Sequence, residues 1–299
     1  MRARWSRAVT VGGVALLVLV TGAAPAAAAP TPSDCATAPS PVVPGLLPSL
    51  LGAVVPGAAP CPSPRSAGDG TSAAALQGWG EPARVDEFDG TALGETWEVY
   101  DGPGHAGNGR RTPEAASVRD GVLTITGSPR GDTAGMAWGR GQKFGRWEGR
   151  VKAPASDESY NALLLLWPDA ENFPEGGEID FMEMMDHTRQ ETHVFLHYGE
   201  DNRQVSGKVA ADATQWHNWA VEWTPTHIAT FLDGKEWWRT ERVDIFPPDR
   251  MHLCVQLDWF PKSGRGAVQE STMQVDWVKQ YAVSPEEQGP GKQGRGTRR

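Results

Sequence analysis

Cysteine is scarce in this 299-residue chain, and its scarcity excludes a scaffold held together by disulfides. The three cysteines, Cys35, Cys61 and Cys254, lack the paired spacing of a zinc site. Cys35 and Cys61 share a proline-rich segment, and whether they form a disulfide in an oxidising compartment stays open. Cys254 lies in the apolar run 253–257 and is predicted to be a buried free thiol.

Long hydrophobic runs are absent after the first twenty residues, which excludes a later membrane span. Residues 8–20 are apolar, follow three arginines and precede an alanine-rich stretch at 26–29. This pattern predicts a secretory signal over residues 1–29, with an uncleaved anchor as the alternative. We therefore expect a secreted, extracellular protein that has no membrane contact after cleavage.

An excess of positive charge is also missing. The formal net charge is −9, and removal of the three leader arginines takes it from −9 to about −12. An acidic protein is a poor partner for nucleic acid or anionic lipid, so neither is an expected ligand.

Composition divides the chain into segments. Residues 30–75 are rich in Pro, Ala, Ser and Gly and are predicted to be a disordered linker. Residues 285–299 are polar and glycine-rich and are predicted to be a disordered tail. Residues 76–284 lie between these two segments and are long enough to form one domain with a large core.

No segment of ten or more residues shows convincing helical periodicity, whereas short strand patterns recur. One example is the pair 228–232 and 235–238, which flank Asp233-Gly234, a dipeptide preferred in two-residue hairpin turns. Many short strands punctuated by Gly and Pro predict an all-β sandwich or barrel.

Tryptophan is abundant, with thirteen in the chain. Structural packing is the favoured interpretation for any single one, but sugar rings also stack on aromatic planes. Trp138, Trp167, Trp216 and Trp259 lie in or beside loops, where positions in a sugar-binding cleft are most plausible.

Three carboxylates, Glu178, Asp180 and Glu183, lie within six residues of an otherwise apolar stretch. In a regular strand Glu178 and Asp180 share a face, and Glu183 points to the other. One extra residue, a β-bulge near Met182, would return Glu183 to the side of the other two. The alternative is a solvated polar edge strand.

Taken together, several segments resemble glycoside hydrolase family 16, whose pattern is Glu-x-Asp-x-(x)-Glu on one strand. The segments that carry the resemblance are residues 86–90 (Asp-Glu-Phe-Asp-Gly), 143–148 (Lys-Phe-Gly-Arg-Trp-Glu), 167–168 with 177–178 (Trp-Pro and Gly-Glu), 221–225 (Val-Glu-Trp-Thr-Pro) and 275–278 (Val-Asp-Trp-Val). The resemblance implies a jelly-roll β-sandwich of the concanavalin A-like lectin/glucanase type, with a concave substrate cleft.

The resemblance also implies residue roles in a double-displacement reaction that retains configuration. Glu178 is then the nucleophile, Glu183 the acid/base, and Asp180 the residue that orients the nucleophile. Three carboxylates so close cannot all ionise cheaply, so we expect Glu183 to be protonated and Glu178 charged.

Other residues are candidate substrate contacts. His193 and His197 share a face of one predicted strand, and each is a sugar contact or a structural histidine; no third ligand is spaced to complete a metal site. Residues 102–107 match a dinucleotide-binding pattern by letter, but no helix follows. The resemblance implies instead a cleft loop with Asn108 and Arg111 as sugar contacts, and a plain surface turn is the alternative.

No cofactor is expected, although Glu87 and Asp276 match positions that help bind a structural calcium in related laminarinases. A surface carboxylate is the alternative for each. The bulged form of the acidic motif resembles the subgroup of laminarinases and galactan hydrolases more than the unbulged lichenases and xyloglucan enzymes. Phe173, where laminarinases commonly carry Trp, and the leucines 163–166 depart from that pattern.

We therefore predict a secreted, monomeric endo-acting hydrolase of a β-linked polysaccharide, with β-1,3-glucan the leading substrate. The alternatives are a galactan hydrolase or transglycosylase of the same family, and a carbohydrate-binding module without catalysis.

Overall fold

The computed structural model describes residues 71–262, 267–284 and Glu287. These residues belong to one compact unit, Pro62–Arg299. The predicted secretory signal, the Cys35–Cys61 pair, nearly all of the predicted linker and most of the predicted tail lie outside the described residues. No helix among the described residues is long and apolar enough to cross a membrane.

Strands dominate the described part of the chain. In chain order they are β1 (Arg84–Asp86), β2 (Trp97–Val99), β3 (Gly102–Pro103), β4 (Arg110–Arg111), β5 (Ala116–Arg119), β6 (Val122–Gly127), β7 (Asp132–Thr133), β8 (Gly135–Gln142), β9 (Gly145–Lys152), β10 (Tyr160–Pro168), β11 (Glu178–Met184), β12 (Glu191–Tyr198), β13 (Arg203–Ala210), β14 (His217–Trp223), β15 (Ile228–Leu232), β16 (Lys235–Thr240), β17 (Met251–Trp259) and β18 (Ser271–Tyr281). The helical elements are the α-helix α1 (Ala73–Gln77) and the short 3-10 helices His105–Gly107, Pro113–Ala115 and Val243–Ile245.

Two large sheets form a sandwich, which confirms the predicted all-β fold. The eight-stranded sheet has the order β16-β15-β14-β9-β18-β6-β5, with β1 also paired to β18. The seven-stranded sheet has the order β13-β12-β11-β10-β17-β8-β2. Within both sheets every pairing is antiparallel.

The predicted hairpin is confirmed at β15 and β16. Its two turn residues, Asp233 and Gly234, have φ values of 48° and 75°. Positive φ at both positions is what the preferred two-residue hairpin turn requires.

The main core lies between the two sheets, and β10 shows how the sequence builds it. Tyr160, Ala162, Leu164 and Leu166 point into this core. The alternate residues point to the opposite face of the seven-stranded sheet, where Leu163 and Leu165 pack with Cys254 in a smaller cluster. Cys254 is fully buried and unpaired, as predicted.

Packed structure extends into the predicted linker 30–75, because α1 begins at Ala73 within that segment and ends at Gln77. The backbone N–H of Ala73 donates to Glu148 Oε1 at 2.6 Å, and the Ser72 hydroxyl caps the helix by accepting from Ala75 N. Trp79 follows and packs edge-on against Phe231. The alanine-rich composition that indicates a linker is also favourable for a short helix, so the prediction is wrong for the last residues of that segment.

Candidate active site

The acidic motif lies on β11, a central strand of the seven-stranded sheet. On one side Leu164 pairs with Met182 and Leu165 pairs with Asp180, so Phe181 is an extra residue. On the other side the register also shifts, between Asp180 and Glu183. The predicted bulge is confirmed, and it turns both Phe181 and Met182 into the core.

The bulge brings Glu178, Asp180 and Glu183 to the face of the sheet that points away from the core. We call this the acid-bearing face. The cross-strand partners show it directly, since Glu178 pairs with His197 and Glu183 with His193 on β12. These side chains alternate with core residues along their strands.

Each carboxylate of the motif has defined neighbours. Asn161 Nδ2 donates to Glu183 Oε1 at 2.9 Å. His197 Nε2 lies 3.4 Å from Asp180 Oδ2, and its Nδ1 is held 2.9 Å from Asn202 Oδ1. Asp180 is only 3% exposed, and its Oδ1 has no hydrogen-bond partner within the described part of the chain.

Burial dominates the electrostatics of the three acids. It raises the pKa of Glu178 to about 10, with the neighbouring charge of Asp180 as the next cause. Burial also raises the pKa of Asp180 and of Glu183 above their usual values. The raised pKa of Glu183 agrees with the expectation that this residue holds a proton, whereas the raised pKa of Glu178 runs against the expectation that it is simply charged.

The motif also forms a possible metal-binding group. Ligand atoms of Glu178, Asp180 and His197 lie within 4.8 Å of one another, and no other group of three such residues occurs in the described ranges. The group contains His197 and not His193, so it does not complete a site around the histidine pair. Sequence spacing does not reveal this group because the ligands come from two strands.

The predicted calcium ligands do not fit a calcium site. Glu87 Oε1 lies 3.4 Å from Lys279 Nζ, and Asp276 Oδ2 lies 3.2 Å from Arg150 Nε. Calcium takes roughly six to eight oxygen ligands. Here each carboxylate instead faces a basic side chain, so the calcium interpretation is replaced by two ion pairs.

Two loop residues are predicted to contact sugar. Arg111 lies at the acid-bearing face, where its guanidinium binds both carboxylate oxygens of Asp258, at 2.6 and 2.8 Å, and Gln256 Oε1 at 2.7 Å. Asn108 is exposed, and its side chain donates to the carbonyl of His105 within its own loop. Arg111 is thus already engaged by the protein, and Asn108 fits the plain-turn alternative.

The aromatic and imidazole candidates on the acid-bearing face are Trp167, His193 and His197. Trp167 is half-buried and stacks on Phe173, with ring centroids 5.2 Å apart. His193 stacks on Phe195, and its Nε2 lies 3.0 Å from Glu191 Oε1. These residues remain candidate sugar contacts.

The predictions for Trp138 and Trp216 are wrong, and that for Trp259 stays a prediction. Trp138 is 2% exposed and stacks on Trp97 in the main core. Trp259 is half-buried and packs against the edge of the core, directly over Gly131, where a Cβ would come within 2.1 Å of the ring. Trp216 lies beneath two basic side chains of the eight-stranded sheet. Proximity to loops misleads here because strand ends supply core residues too.

Four polar residues of the acid-bearing face are not predicted from the sequence: Asn161, His252, Gln256 and Asp258. The last three lie at even-numbered positions along β17, which reads Met-His-Leu-Cys-Val-Gln-Leu-Asp-Trp. That period of two is a usable signal, but the apolar run in its middle hides it.

Comparisons with known proteins agree with this geometry. The model of "Glycosyl hydrolases family 16" matches residues 108–279. A β-glucanase from Rhodothermus marinus is 31% identical over 202 residues, covering 58% of this chain and 68% of that protein. An endo-1,3-1,4-β-glycanase of Rhizobium meliloti, EglC, is 29% identical over 188 residues, and the match spans only 39% of its length.

A solved structure shows the same fold. The X-ray structure of the laminarinase from Rhodothermus marinus has a TM-score of 0.62 at 24% identity, covering 68% of this chain and 98% of that one. The family model matches more than half of the chain. The protein therefore belongs to family 16 of the glycosyl hydrolases and is a glycoside hydrolase.

Proposed function

We propose that this enzyme cleaves internal bonds of a β-1,3-glucan with retention of configuration. The observation that carries the proposal is the bulge in β11, which brings Glu178 and Glu183 to one face with Asp180 between them. The laminarinase and β-glucanase names of the similar proteins support the substrate class.

The reaction follows from two carboxyl groups with different tasks. In the first step a carboxylate oxygen of Glu178 bonds to the anomeric carbon. The bond from that carbon to the glycosidic oxygen breaks, and Glu183 gives its proton to the departing oxygen. In the second step water attacks the same carbon, Glu183 takes a proton from the water, and Glu178 is released.

Asp180 makes Glu178 available for attack. Burial raises the pKa of both acids, and Glu178 attacks in its charged form when the proton lies on Asp180. His197, whose Nε2 lies 3.4 Å from Asp180 Oδ2, lowers the pKa of Glu178 through its charge and so favours the charged form of Glu178. Asn161 orients the Glu183 carboxyl through its hydrogen bond.

The proposal includes export, on the strength of the predicted signal over residues 1–29. A β-1,3-glucan is too large to enter a cell intact, so an endo-acting enzyme meets it outside.

Incubation of the purified protein with laminarin, mixed-linkage glucan, agarose and xyloglucan, followed by product sizing, tests the substrate. We expect laminarin to give short oligosaccharides, with newly formed ends that are initially β by NMR. Cleavage of agarose alone would replace the proposal with a galactan hydrolase. Binding without cleavage would indicate a non-catalytic module.

Variants test the residue roles. Glu178→Gln and Glu183→Gln should each reduce laminarin hydrolysis by roughly 10³-fold or more, and Asp180→Asn should reduce it less. Glu236→Gln is the matched control, because Glu236 is paired with Arg239 on the edge strand β16, far along the other sheet. Full activity in either of the first two variants would refute the assignment.

A further inference from the structure

Side chains of four neighbouring strands form a row across the acid-bearing face, level with Glu178. His197 on β12 pairs with Glu178 on β11. Ile179 pairs with Leu166, so Glu178 lies beside Trp167 on β10, and Trp167 pairs with His252 on β17. Neighbouring strands are about 4.8 Å apart, which places His252 roughly 10 Å from Glu178.

His252 is fixed by a carboxylate. Its Nδ1 lies 2.8 Å from Asp169 Oδ1. Asp169 in turn accepts from the backbone N–H of Gly141 and lies 3.5 Å from Arg250 Nε, so it cannot turn away. The imidazole therefore has one orientation, in which Nδ1–H donates to Asp169.

The other nitrogen of His252 is uncommitted. Nε2 makes no hydrogen bond to any described residue, although only 8% of the side chain is exposed and Nε2 itself keeps access to solvent. With Nδ1 donating, Nε2 of the neutral ring is an acceptor. A fixed acceptor beside a half-buried tryptophan ring is the combination that binds sugar: a hydroxyl donates to the nitrogen while the C–H face packs on the indole.

We propose that His252 is a specificity-determining residue that binds the second sugar unit on the glycone side of the scissile bond. The inference rests on the proposed function. In it, the anomeric carbon lies at Glu178, and the leaving group departs toward Glu183. His252 lies level with Glu178 in the register of the sheet. The sugar it contacts thus belongs to the part that stays on the enzyme.

In this arrangement the second glycone unit stacks on Trp167, which is braced from behind by Phe173. One of its hydroxyls donates to His252 Nε2. Asp169 is a positioning residue that acts through His252 and does not touch the sugar.

Nitrophenyl β-glycosides with a constant leaving group and one, two or three β-1,3-linked glucosyl units test the proposal. In the wild type we expect kcat/KM to rise steeply from one unit to two. In His252→Ala, kcat/KM for the two-unit and three-unit substrates should fall by roughly 10- to 100-fold, while kcat/KM for the one-unit substrate stays unchanged. Asp169→Asn should give the same selective loss, smaller in size, and provides a second test should His252→Ala fold poorly.

His217→Gln is the matched control. His217 Nδ1 lies 2.7 Å from Asp233 Oδ2, which is the same kind of pair on the eight-stranded sheet. It should behave as the wild type at every chain length. A His252→Ala enzyme that keeps the wild-type rise, or loses activity equally on all three substrates, would overturn the inference. A wild type that cleaves none of the three and does not cleave laminarin would instead refute the proposed function.

Discussion

Asp180 is the most enclosed of the three acids, with one carboxylate oxygen near His197 and the other unpartnered within the described residues. A buried carboxyl without full hydrogen bonding costs folding free energy. The surrounding strands hold it in place because catalysis needs it between Glu178 and Glu183. The buried carboxyl of Asp180 therefore lowers the free energy of unfolding at a position where it serves catalysis.

The buried carboxyls of the motif also make the free energy of unfolding depend on pH, and Glu178 allows a test. The folded-state pKa of Glu178 is about 10, above its ordinary value of 4.5. Between these two values the native protein binds more protons than the unfolded chain, so the free energy of unfolding falls as pH rises. Urea denaturation at pH 5 and pH 8 should show that Glu178→Gln is the more stable protein at pH 8, by on the order of 1 to 3 kcal/mol, with a smaller difference at pH 5. Parallel pH profiles for wild type and variant would contradict this.

Substitutions at two tryptophans distinguish a role in core packing from a role in sugar binding. Trp138→Ala should lower the free energy of unfolding by about 3 to 5 kcal/mol, because it empties a fully packed site in the main core. Trp167→Ala should lower the free energy of unfolding by less than Trp138→Ala, because Trp167 is only half-buried, and should raise KM for laminarin, since Trp167 lies on the acid-bearing face. Denaturation curves and laminarin kinetics on both variants check the expectation, which fails should the two effects be reversed.

At the scale of one element, the bulge in β11 decides which face Glu183 occupies. Deletion of Met182 removes the extra residue, so that Glu183 directly follows Phe181 and regular two-residue alternation keeps it on the face of Glu178 and Asp180. We expect laminarin hydrolysis to be retained at a reduced rate and the protein to be destabilised by about 2 to 5 kcal/mol, because a fully buried methionine side chain leaves the core. Glu183→Gln, inactive but folded, is the control. A folded deletion variant as inactive as Glu183→Gln would show that the bulge itself is needed to place Glu183.

Elements differ in how far the sequence predicts them. β11 is predictable, bulge included, because three acids in an apolar strand cannot contribute to packing and so indicate a site. The polar face of β17 is not predictable, because His252, Gln256 and Asp258 become a surface only when the sheet sets them beside β10. Contacts such as Asn161 to Glu183 join residues of different strands, and no local pattern records which strands are neighbours.

At the scale of the whole molecule, the N-terminal segment is part of the catalytic domain. α1 and Trp79 cover Ala220, Ala229 and Phe231 on the outside of the eight-stranded sheet. Glu148, fully buried beneath them, accepts from the first N–H groups of the helix. This cluster is thereby closed to water.

Two truncations test this closure. A protein from which residues 1–70 are removed is the reference. Removal of residues 1–80 should lower the melting temperature below that of the reference by roughly 10 °C, because it uncovers the Trp79 site and removes the groups that donate to Glu148. Calorimetry on the two proteins decides the matter, and equal melting temperatures would show that the segment contributes nothing.

The leucines of β10 give the molecule a further property. Leu163 and Leu165 lie beside the acids on the acid-bearing face and form what we call the floor of the site. Leu164 and Leu166 belong to the main core. Floor and core are thus two sides of one strand, and Leu164 reaches across the sandwich to Gly149, where even a methyl group would lie 2.9 Å from it. A substitution in the floor that shifts the backbone of β10 would therefore also disturb the packing of Leu164 against the opposite sheet. New substrate preferences in this lineage are therefore expected to evolve at the ends of strands, while β10 stays constant.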